Sequence, residues 1–415
     1  MTYVLKGRMI DGIQDTALEN GCVAIQGNRI VYAGPDHEYT PPENATVLDC
    51  AGGTILPGFI DVHAHLTGYE DAGSYAGGQL FGDQLIGAVH ELTLLLEAGF
   101  TGLRDMSLAG LYLSRGVERG AIPGPRIVPG GRVIGMTSGH VDMHPEWTRE
   151  EINRLDPLSY LCDGPDDCVR AVREQFRMGA KFIKICATGG VSSPTDRIDD
   201  VQFSPEELRA MVQEARRHHS YVTAHCTGYE GAYQALLAGV ECIEHGVMLT
   251  EREVALMAEK HVPLVSTLWV SLNVANLPGM PAFAREKART CAEYNRKTIA
   301  LCRQYGVPVA LGTDFSNSRN TSYLTIGREF EAMVEGGLTP MEAIRGGTSI
   351  AASVMRMNDL GVLKEGCLAD IAVTDGNPLE NISCLADAQH IPLVIADGKI
   401  VKNRLSTSAA EGGHP

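Results

Sequence analysis

Eight short apolar runs alternate with helix-like segments between about residues 56 and 355. Near-continuous apolar strands that alternate with amphipathic helices are typical of a parallel sheet with both faces buried. Eight such repeats predict an α/β fold of the (β/α)8 TIM-barrel type, in which functional residues gather at the carboxyl ends of the strands. The predicted strands are residues 59–63, 101–106, 126–134, 182–187, 221–225, 240–245, 262–267 and 307–314.

Both ends of the chain show a different pattern, with short strands and turns. Gly27 and Asn28 suit a hairpin turn between two strand-like runs near the amino end. We therefore predict that residues 1–55 and 356–415 meet in one small, discontinuous β-sandwich domain. Residues 56–355 would form the barrel between these two segments, and the small, polar tail from about Leu405 onward is predicted to be disordered.

The composition restricts the classes of function. The net charge is −16, whereas general nucleic-acid binding needs a basic surface. No apolar run reaches the ~20 residues that cross a bilayer, and the first residues lack the basic and apolar regions of a signal peptide. We expect a cytoplasmic protein that binds neither nucleic acid nor membranes, with its 11 cysteines reduced. Apolar helical faces favour a homo-oligomer.

Histidine and aspartate residues lie at the ends of several predicted strands. His63 ends the first strand, and His65 falls on the same face because strand side chains alternate. His225 and His245 end the fifth and sixth strands, and Asp314 ends the eighth. Imidazoles that point one way at a strand end are typical metal ligands. Taken alone, His63 and His65 are also compatible with two ordinary polar residues in a loop.

Lys184 lies inside the apolar fourth strand, where a charged ammonium is costly without a partner. Nearby dications would lower the pKa of this amine, and the neutral amine can take up carbon dioxide to give a carbamate. A carbamate is an anionic, two-oxygen ligand able to bridge two metals. The alternative is an ion pair between Lys184 and an acidic residue inside the barrel. The residues by themselves leave both interpretations open.

The motifs together resemble the amidohydrolase superfamily over nearly the whole chain. The resemblance is carried by His-Ala-His after strand one, a lysine on strand four, histidines on strands five and six, and an aspartate on strand eight. The stretches IKICATGGVSSP, AHCTGYEG, GVECIEHG and ALGTD are similar to the imidazolonepropionase-like branch. That branch contains Xaa-Pro dipeptidases, related metallo-carboxypeptidases and ochratoxin-hydrolysing amidases. Some arylurea and thiocarbamate hydrolases also resemble it.

This resemblance implies a binuclear metal site. His63 and His65 would hold the more buried metal with Asp314, while His225 and His245 would hold the second. Two Zn²⁺ ions, or two other divalent ions, would be bridged by a hydroxide and by N6-carboxylysine at position 184. Asp314 would also be catalytic, passing a proton from the hydroxide to the leaving nitrogen. A bridging Lys184 argues against imidazolonepropionase itself and the mononuclear deaminases, which lack it.

Two further residues are candidates for contact with a substrate. His140 follows the third strand and Tyr229 follows the fifth. Related dipeptidases have a histidine and a tyrosine at matching places, which implies that His140, as a catalytic and binding residue, and Tyr229 contact the substrate's carbonyl and terminal carboxylate. Each could instead be an ordinary loop or capping residue. His144 is a weaker candidate. Asp61 and Asp105 are interpreted as residues that either support the metal ligands or have a purely structural role.

These observations predict a binuclear hydrolase that cleaves an amide or peptide bond of a small substrate. Dipeptides with a free carboxyl end, including the Xaa-Pro type, are the leading substrate class. The first alternative keeps the site but takes a xenobiotic amide, carbamate or urea. A non-catalytic scaffold is a second alternative, and it conflicts with the complete ligand set. Segments 67–84 and 135–165 are long enough to act as lids.

Overall fold

The computed structural model describes residues 2–68, 81–316 and 321–405. Predictions for the segment 69–80 and for the tail beyond residue 405 lie outside the described residues. The strands are β1 Thr2–Met9, β2 Leu18–Gln26, β3 Arg29–Pro35, β4 Thr46–Pro57, β5 Phe59–Ala64, β6 Phe100–Asp105, β7 Arg126–Pro129, β8 Val133–Gly135, β9 Ser159–Leu161, β10 Ile183–Cys186, β11 Val222–Cys226, β12 Cys242–His245, β13 Leu264–Val265, β14 Val309–Ala310, β15 Ile371–Thr374, β16 Leu393–Ala396 and β17 Lys399–Asn403.

The α-helices of the described residues lie mostly between the strands of the central part. They are α1 Phe81–Glu97, α2 Leu108–Glu118, α3 Arg149–Leu155, α4 Pro165–Met178, α5 Pro205–Arg217, α6 Tyr229–Ala238, α7 Glu251–Lys260, α8 Leu268–Asn273, α9 Ala282–Tyr305, α10 Arg328–Glu335, α11 Pro340–Arg345 and α12 Ala351–Val354. The helix starts follow local chemistry, as in the capping box of Ser204 and Glu207 before α5. No helix in the described part of the chain is long and apolar enough to cross a membrane.

Strands from both ends of the chain share one seven-stranded mixed sheet. Its order is β17-β16-β15-β4-β1-β2-β3, with β4 antiparallel to β15 and parallel to β1. Side chains from both halves of this sheet, such as Val23 and Ile371, are buried in one apolar cluster. The amide of Ile30, on β3, donates to the carbonyl of Cys367 at 2.9 Å. The far edge of the sheet therefore contacts the segment that leads into β15.

The central part of the chain is built from parallel strands, which confirms the predicted α/β fold. One sheet has the order β5-β6-β7 and the other β14-β13-β12-β11-β10-β8-β9. Ala64 and Phe315 form a parallel bridge, and the amide of Val62 donates to the carbonyl of Leu311 at 3.1 Å. At the other side, the amide of Lys181 donates to the carbonyl of Pro129 at 2.7 Å. The two sheets are thus in contact at both ends.

The third predicted strand differs from the observed structure. Residues 126–134 form two strands, β7 and β8, with a break between them at residues 130–132. Gly131 has a φ of 70°, a backbone conformation that glycine adopts without strain. A Cβ on Gly130 would lie 2.6 Å from the ring of Phe182, so the backbone approaches this ring too closely for a side chain. The sequence did not indicate the strand β9, which lies inside the segment 135–165 and pairs with β8.

Candidate metal centre

The predicted ligand residues occur at corresponding places on parallel strands. His63 lies near the end of β5, Lys184 within β10, His225 within β11 and His245 at the end of β12, while Asp314 follows β14. Because these strands run parallel, their carboxyl ends lie at one end of the sheets. The fold therefore places residues that are far apart in sequence at the same edge.

His63, His65 and Asp314 form a compact group whose ligand atoms all lie within 4.8 Å of one another. The Oδ1 atom of Asp314 is 3.0 Å from Nε2 of His65 and 3.4 Å from Nε2 of His63. Burial acts to raise the pKa of Asp314, but the two imidazoles outweigh it and hold the pKa well below the usual range. A carboxylate and two imidazole nitrogens facing one another are a suitable donor set for a divalent cation.

Five imidazole rings form a continuous row across the site. The centroid distances are 5.4 Å between His65 and His63, 4.7 Å between His63 and His245, and 4.6 Å between His245 and His225. The ring of His140 stacks on His225 at 4.4 Å. The structure thus brings together the four predicted histidine ligands and one predicted substrate residue.

The hydrogen bonds of His225 and His245 indicate which ring nitrogens face the centre. Nε2 of His225 is 3.0 Å from the carbonyl of Gly189 and 3.1 Å from Oγ1 of Thr227, so Nδ1 is left for a ligand. Nδ1 of His245 is 2.8 Å from Oγ1 of Thr267, so Nε2 is left. Burial and neighbouring positive charge lower the pKa of both imidazoles well below the usual value. Both rings are therefore neutral, as metal binding requires.

Lys184 is buried beside this row of rings. Its Nζ atom is 3.5 Å from Nε2 of His63 and 3.5 Å from the sulfur of Met106. Within residues 2–68, 81–316 and 321–405, no carboxylate forms a salt bridge with Lys184. The ion-pair interpretation therefore has no partner in the described part of the chain, and the amine points toward the predicted ligands.

The sequence did not indicate a buried ion pair that contacts Nδ1 of His63. Glu244 and Arg104 are fully buried and hydrogen-bonded to each other, and Oε2 of Glu244 is 2.7 Å from Nδ1 of His63. Burial acts to raise the pKa of Glu244, but Arg104 and His63 outweigh it and hold the pKa well below normal. The carboxylate thus fixes His63 with Nδ1 protonated and Nε2 toward the centre. The available signal was a charged residue inside each of two apolar strands.

Asp61 and Asp105 bind backbone groups at the strand ends. Asp61 accepts hydrogen bonds from the amide of His63 at 2.9 Å and from Oγ1 of Thr313 at 2.6 Å. Asp105 accepts from the amide of Leu66 at 2.7 Å. Burial raises the pKa of Asp61 to about 7 and that of Asp105 to about 6. These contacts agree with the structural roles predicted for both residues.

The remaining candidates occupy different environments. Nδ1 of His140 is 2.8 Å from Oγ of Ser193, in the loop that follows β10. Tyr229 is the first residue of α6, and 45% of it is exposed. His144 stacks on Trp147 with ring centroids 4.3 Å apart, so its main contact lies within its own loop. His140 therefore touches the row of rings, whereas His144 contacts its sequence neighbours.

Comparison with known proteins identifies the family of this chain. The sequence model of the amidohydrolase family matches residues 54–401 of this chain. Ochratoxinase from Aspergillus niger is 30% identical over 422 residues, which cover 97% of this chain and 87% of that protein. These matches confirm the family resemblance that the strand-end motifs indicate.

Two solved structures are similar in both sequence and fold. A prolidase complexed with N-methylphosphonate-L-proline is 33% identical with a TM-score of 0.89, covering 97% of this chain and 100% of the prolidase. A Xaa-Pro dipeptidase with methionine bound in its active site is 29% identical with a TM-score of 0.86, covering 97% of this chain and 100% of the dipeptidase. In both cases the similarity extends over 97% of this chain.

Proposed function

Because the chain belongs to the amidohydrolase family and is a hydrolytic enzyme, we propose that it is a binuclear metal-dependent amide hydrolase. Its substrates would be small molecules with a free carboxyl end, with dipeptides of the Xaa-Pro type as the leading class. The observation that carries this proposal is the continuous row of imidazoles, with Asp314 at one end and Lys184 beside it. The prolidase and dipeptidase similarities support the substrate class.

We also propose how the strands are arranged in the complete fold. The eight strands β5, β6, β7 with β8, β10, β11, β12, β13 and β14 would close into a (β/α)8 barrel. Contacts between β5 and the end of β14, and between Pro129 and Lys181, support this closure. The sheet from the two chain ends, with apolar side chains of both halves in one cluster, would form the β-sandwich domain.

The donor set fits two divalent ions, and zinc fits it best. Four imidazoles and one carboxylate are the nitrogen and oxygen ligands that Zn²⁺ accepts, and a carboxylated Lys184 would add the bridging anion. When bound, the two ions would supply a water that is deprotonated near neutral pH and would polarise the carbonyl of the scissile amide. Glu244 contacts Nδ1 of His63, which leaves Nε2 of this ring available to bind a metal ion.

The residues of the chain would handle the proton and hold the substrate. Asp314 is suited to proton transfer because its side chain is 31% exposed, whereas that of His63 is only 1% exposed. It would take the proton from the attacking water and deliver it to the leaving nitrogen as the C–N bond breaks. His140 would contact the carbonyl oxygen, and the exposed Tyr229 would contact the terminal carboxylate.

A lysine substitution with a matched control tests the site. Lys184→Met keeps the apolar stem but cannot form a carbamate, so we expect metal content to fall from two ions to one or none, with loss of dipeptide hydrolysis. Wild-type protein supplied with ¹³C-bicarbonate should give a carbamate carbon signal that Lys184→Met lacks. Lys181→Met removes an exposed lysine three residues earlier and should change neither measurement. Two ions retained by Lys184→Met would contradict the bridging role.

The ochratoxinase similarity favours a second candidate function. A relative that is 30% identical over 97% of the chain supports an ochratoxin-type amide as the substrate instead of a dipeptide. The metal centre would be the same, since only the pocket around the leaving group would differ. Metal-loaded protein assayed with a dipeptide panel, ochratoxin A and a phenylurea would separate these classes by their kcat/KM values.

A further inference from the structure

A buried polar network contacts the ring of His140 through the hydroxyl of Ser193. We propose that Asp196, Ser193 and Lys287 are positioning residues that orient the His140 imidazole for the substrate. This inference rests on the proposed function, which places His140 against the scissile carbonyl. Ser193 lies in the stretch IKICATGGVSSP, whereas Asp196 and Lys287 lie outside the motifs that indicate the family. Lys287 is also distant from the other two residues in sequence.

Asp196 is the centre of this network. Its side chain is only 2% exposed and accepts hydrogen bonds from the amide of Gly190 at 3.1 Å and Nζ of Lys287 at 2.9 Å. It also accepts from Nε2 of Gln202 at 3.2 Å and from the hydroxyl of Ser193. Burial acts to raise the pKa of Asp196, but these neighbours and His140 outweigh it and bring the pKa to about 2. The network therefore contains a fixed anion.

The hydroxyl of Ser193 connects this anion to His140. A serine hydroxyl has one proton to donate, and Ser193 donates it to Asp196. At the contact of 2.8 Å with Nδ1 of His140, the oxygen of Ser193 is therefore the acceptor. His140 must then carry its hydrogen on Nδ1, which leaves Nε2 for the substrate. The tautomer of His140 is set by a chain of two hydrogen bonds from Asp196.

The position of the His140 ring is restricted as well as its tautomer. One face of the ring stacks on His225, with an interplanar angle of 28°. A Cβ on Gly190 would lie 2.2 Å from Cε1 of His140, so only glycine allows the loop to approach the ring this closely. The amide of His140 donates to Oε1 of Gln202 at 3.1 Å. Ring, tautomer and backbone are thus all held by the segment 189–202.

Lys287 fixes this segment from helix α9. Its Nζ donates to the carbonyls of Gly190 at 3.0 Å and Ser193 at 2.7 Å, in addition to Asp196. One ammonium group therefore binds three points of the loop and also balances the charge of Asp196. Removing it would leave a buried carboxylate without its cation and would release the part of the loop that carries Ser193.

The experiment compares Asp196→Asn, Ser193→Ala and Lys287→Met in metal-loaded protein. Lys287→Arg is the conservative variant, and Lys297→Met is the control because Lys297 is exposed on the same helix. With a cleaved dipeptide, the first three variants should lower kcat on the order of tenfold to hundredfold, because small displacements of a reacting group cost about that much. Metal content and KM should change little, and Lys287→Arg should recover part of the loss.

Two readouts distinguish positioning from a general loss of structure. In the background of His140→Ala, the effect of Asp196→Asn on kcat should disappear, since Asp196 acts through His140. Imidazole ¹⁵N spectra should show His140 protonated on Nδ1 in wild-type protein and altered in Ser193→Ala. Additive losses in the double variant, or an unaltered His140 tautomer in Ser193→Ala, would overturn the inference. If wild-type protein cleaves no dipeptide while the spectra are as expected, the proposed substrate class is wrong and the positioning role stands.

Discussion

Replacing Glu244 by glutamine tests whether the buried ion pair below His63 controls both stability and metal binding. The carboxylate of Glu244 is fully buried and accepts hydrogen bonds from Arg104, Thr223 and Nδ1 of His63. Glutamine has nearly the same shape but no charge, and one of its two polar atoms is a donor. It cannot satisfy donors on both sides, and it leaves Arg104 without a counter-charge.

The structure gives the expected size of both effects. Arg104 is 0% exposed, so its guanidinium cannot be resolvated when the charge of Glu244 is lost. Breaking a buried pair by removing one partner costs about 3–5 kcal/mol in the free energy of unfolding. At His63, loss of the group that orients a metal-binding imidazole weakens metal affinity by about 10–100-fold. We therefore expect Glu244→Gln to be less stable without metal and to bind metal more weakly.

Denaturant unfolding of the metal-free protein measures the first effect, and competition with a chromogenic chelator measures the second. Glu214→Gln is the matched control, because Glu214 is also buried and paired with arginines, Arg173 at 2.7 Å and Arg217 at 3.0 Å, but lies on helix α5. The control should leave metal affinity unchanged. Unchanged metal affinity in Glu244→Gln, or a loss of stability below that of the control, would refute the reasoning.

Two further predictions concern carboxylates at the same end of the sheets. Asp314→Asn in metal-replete protein should lower kcat by about 10²–10⁴-fold through loss of proton transfer, measured by steady-state kinetics; near wild-type activity would rule out that role. Burial raises the pKa of Glu91 from 4.5 to about 8, so the folded protein retains a proton that the unfolded chain releases between those values. Stability should therefore fall as pH rises from 4.5 to 8. Glu91→Gln, measured by denaturant unfolding across that range, should make this slope shallower, while Asp61 and Asp105, whose pKa values are also raised, should keep part of it.

The sequence predicted those features that local pattern determines. The helix α4 begins at Pro165 and ends before Gly179, as its proline and glycine indicate, because these residues favour helix starts and ends for reasons of backbone geometry. The strands that carry His63, Lys184, His225 and His245 were likewise visible as apolar runs. Their common location follows from the parallel arrangement, since this places all strand ends at one edge.

The interactions that were missed join residues with no pattern in common. Arg104 and Glu244 meet only because β6 and β12 face the same interior, and each by itself looks like an irregularity in an apolar strand. Asp196 and Lys287 are separated by 91 positions and a change of element. At the break between β7 and β8, Gly130 approaches the ring of Phe182, which is a tertiary contact. Such pairs follow from packing, and the sequence contains no spacing rule for them.

The backbone at three consecutive strand ends links the fold to the chemistry. His245, Thr267 and Asp314, which follow or end β12, β13 and β14, have φ values of 67°, 47° and 59°. A non-glycine residue in this left-handed region costs of order 1–3 kcal/mol, so the surrounding structure must enforce it. Two of these residues are predicted metal ligands, and the third holds Nδ1 of His245 at 2.8 Å. Successive side chains of an extended strand point to opposite faces of the sheet. We therefore explain the strain as the cost of turning these three side chains toward the same group of predicted ligands.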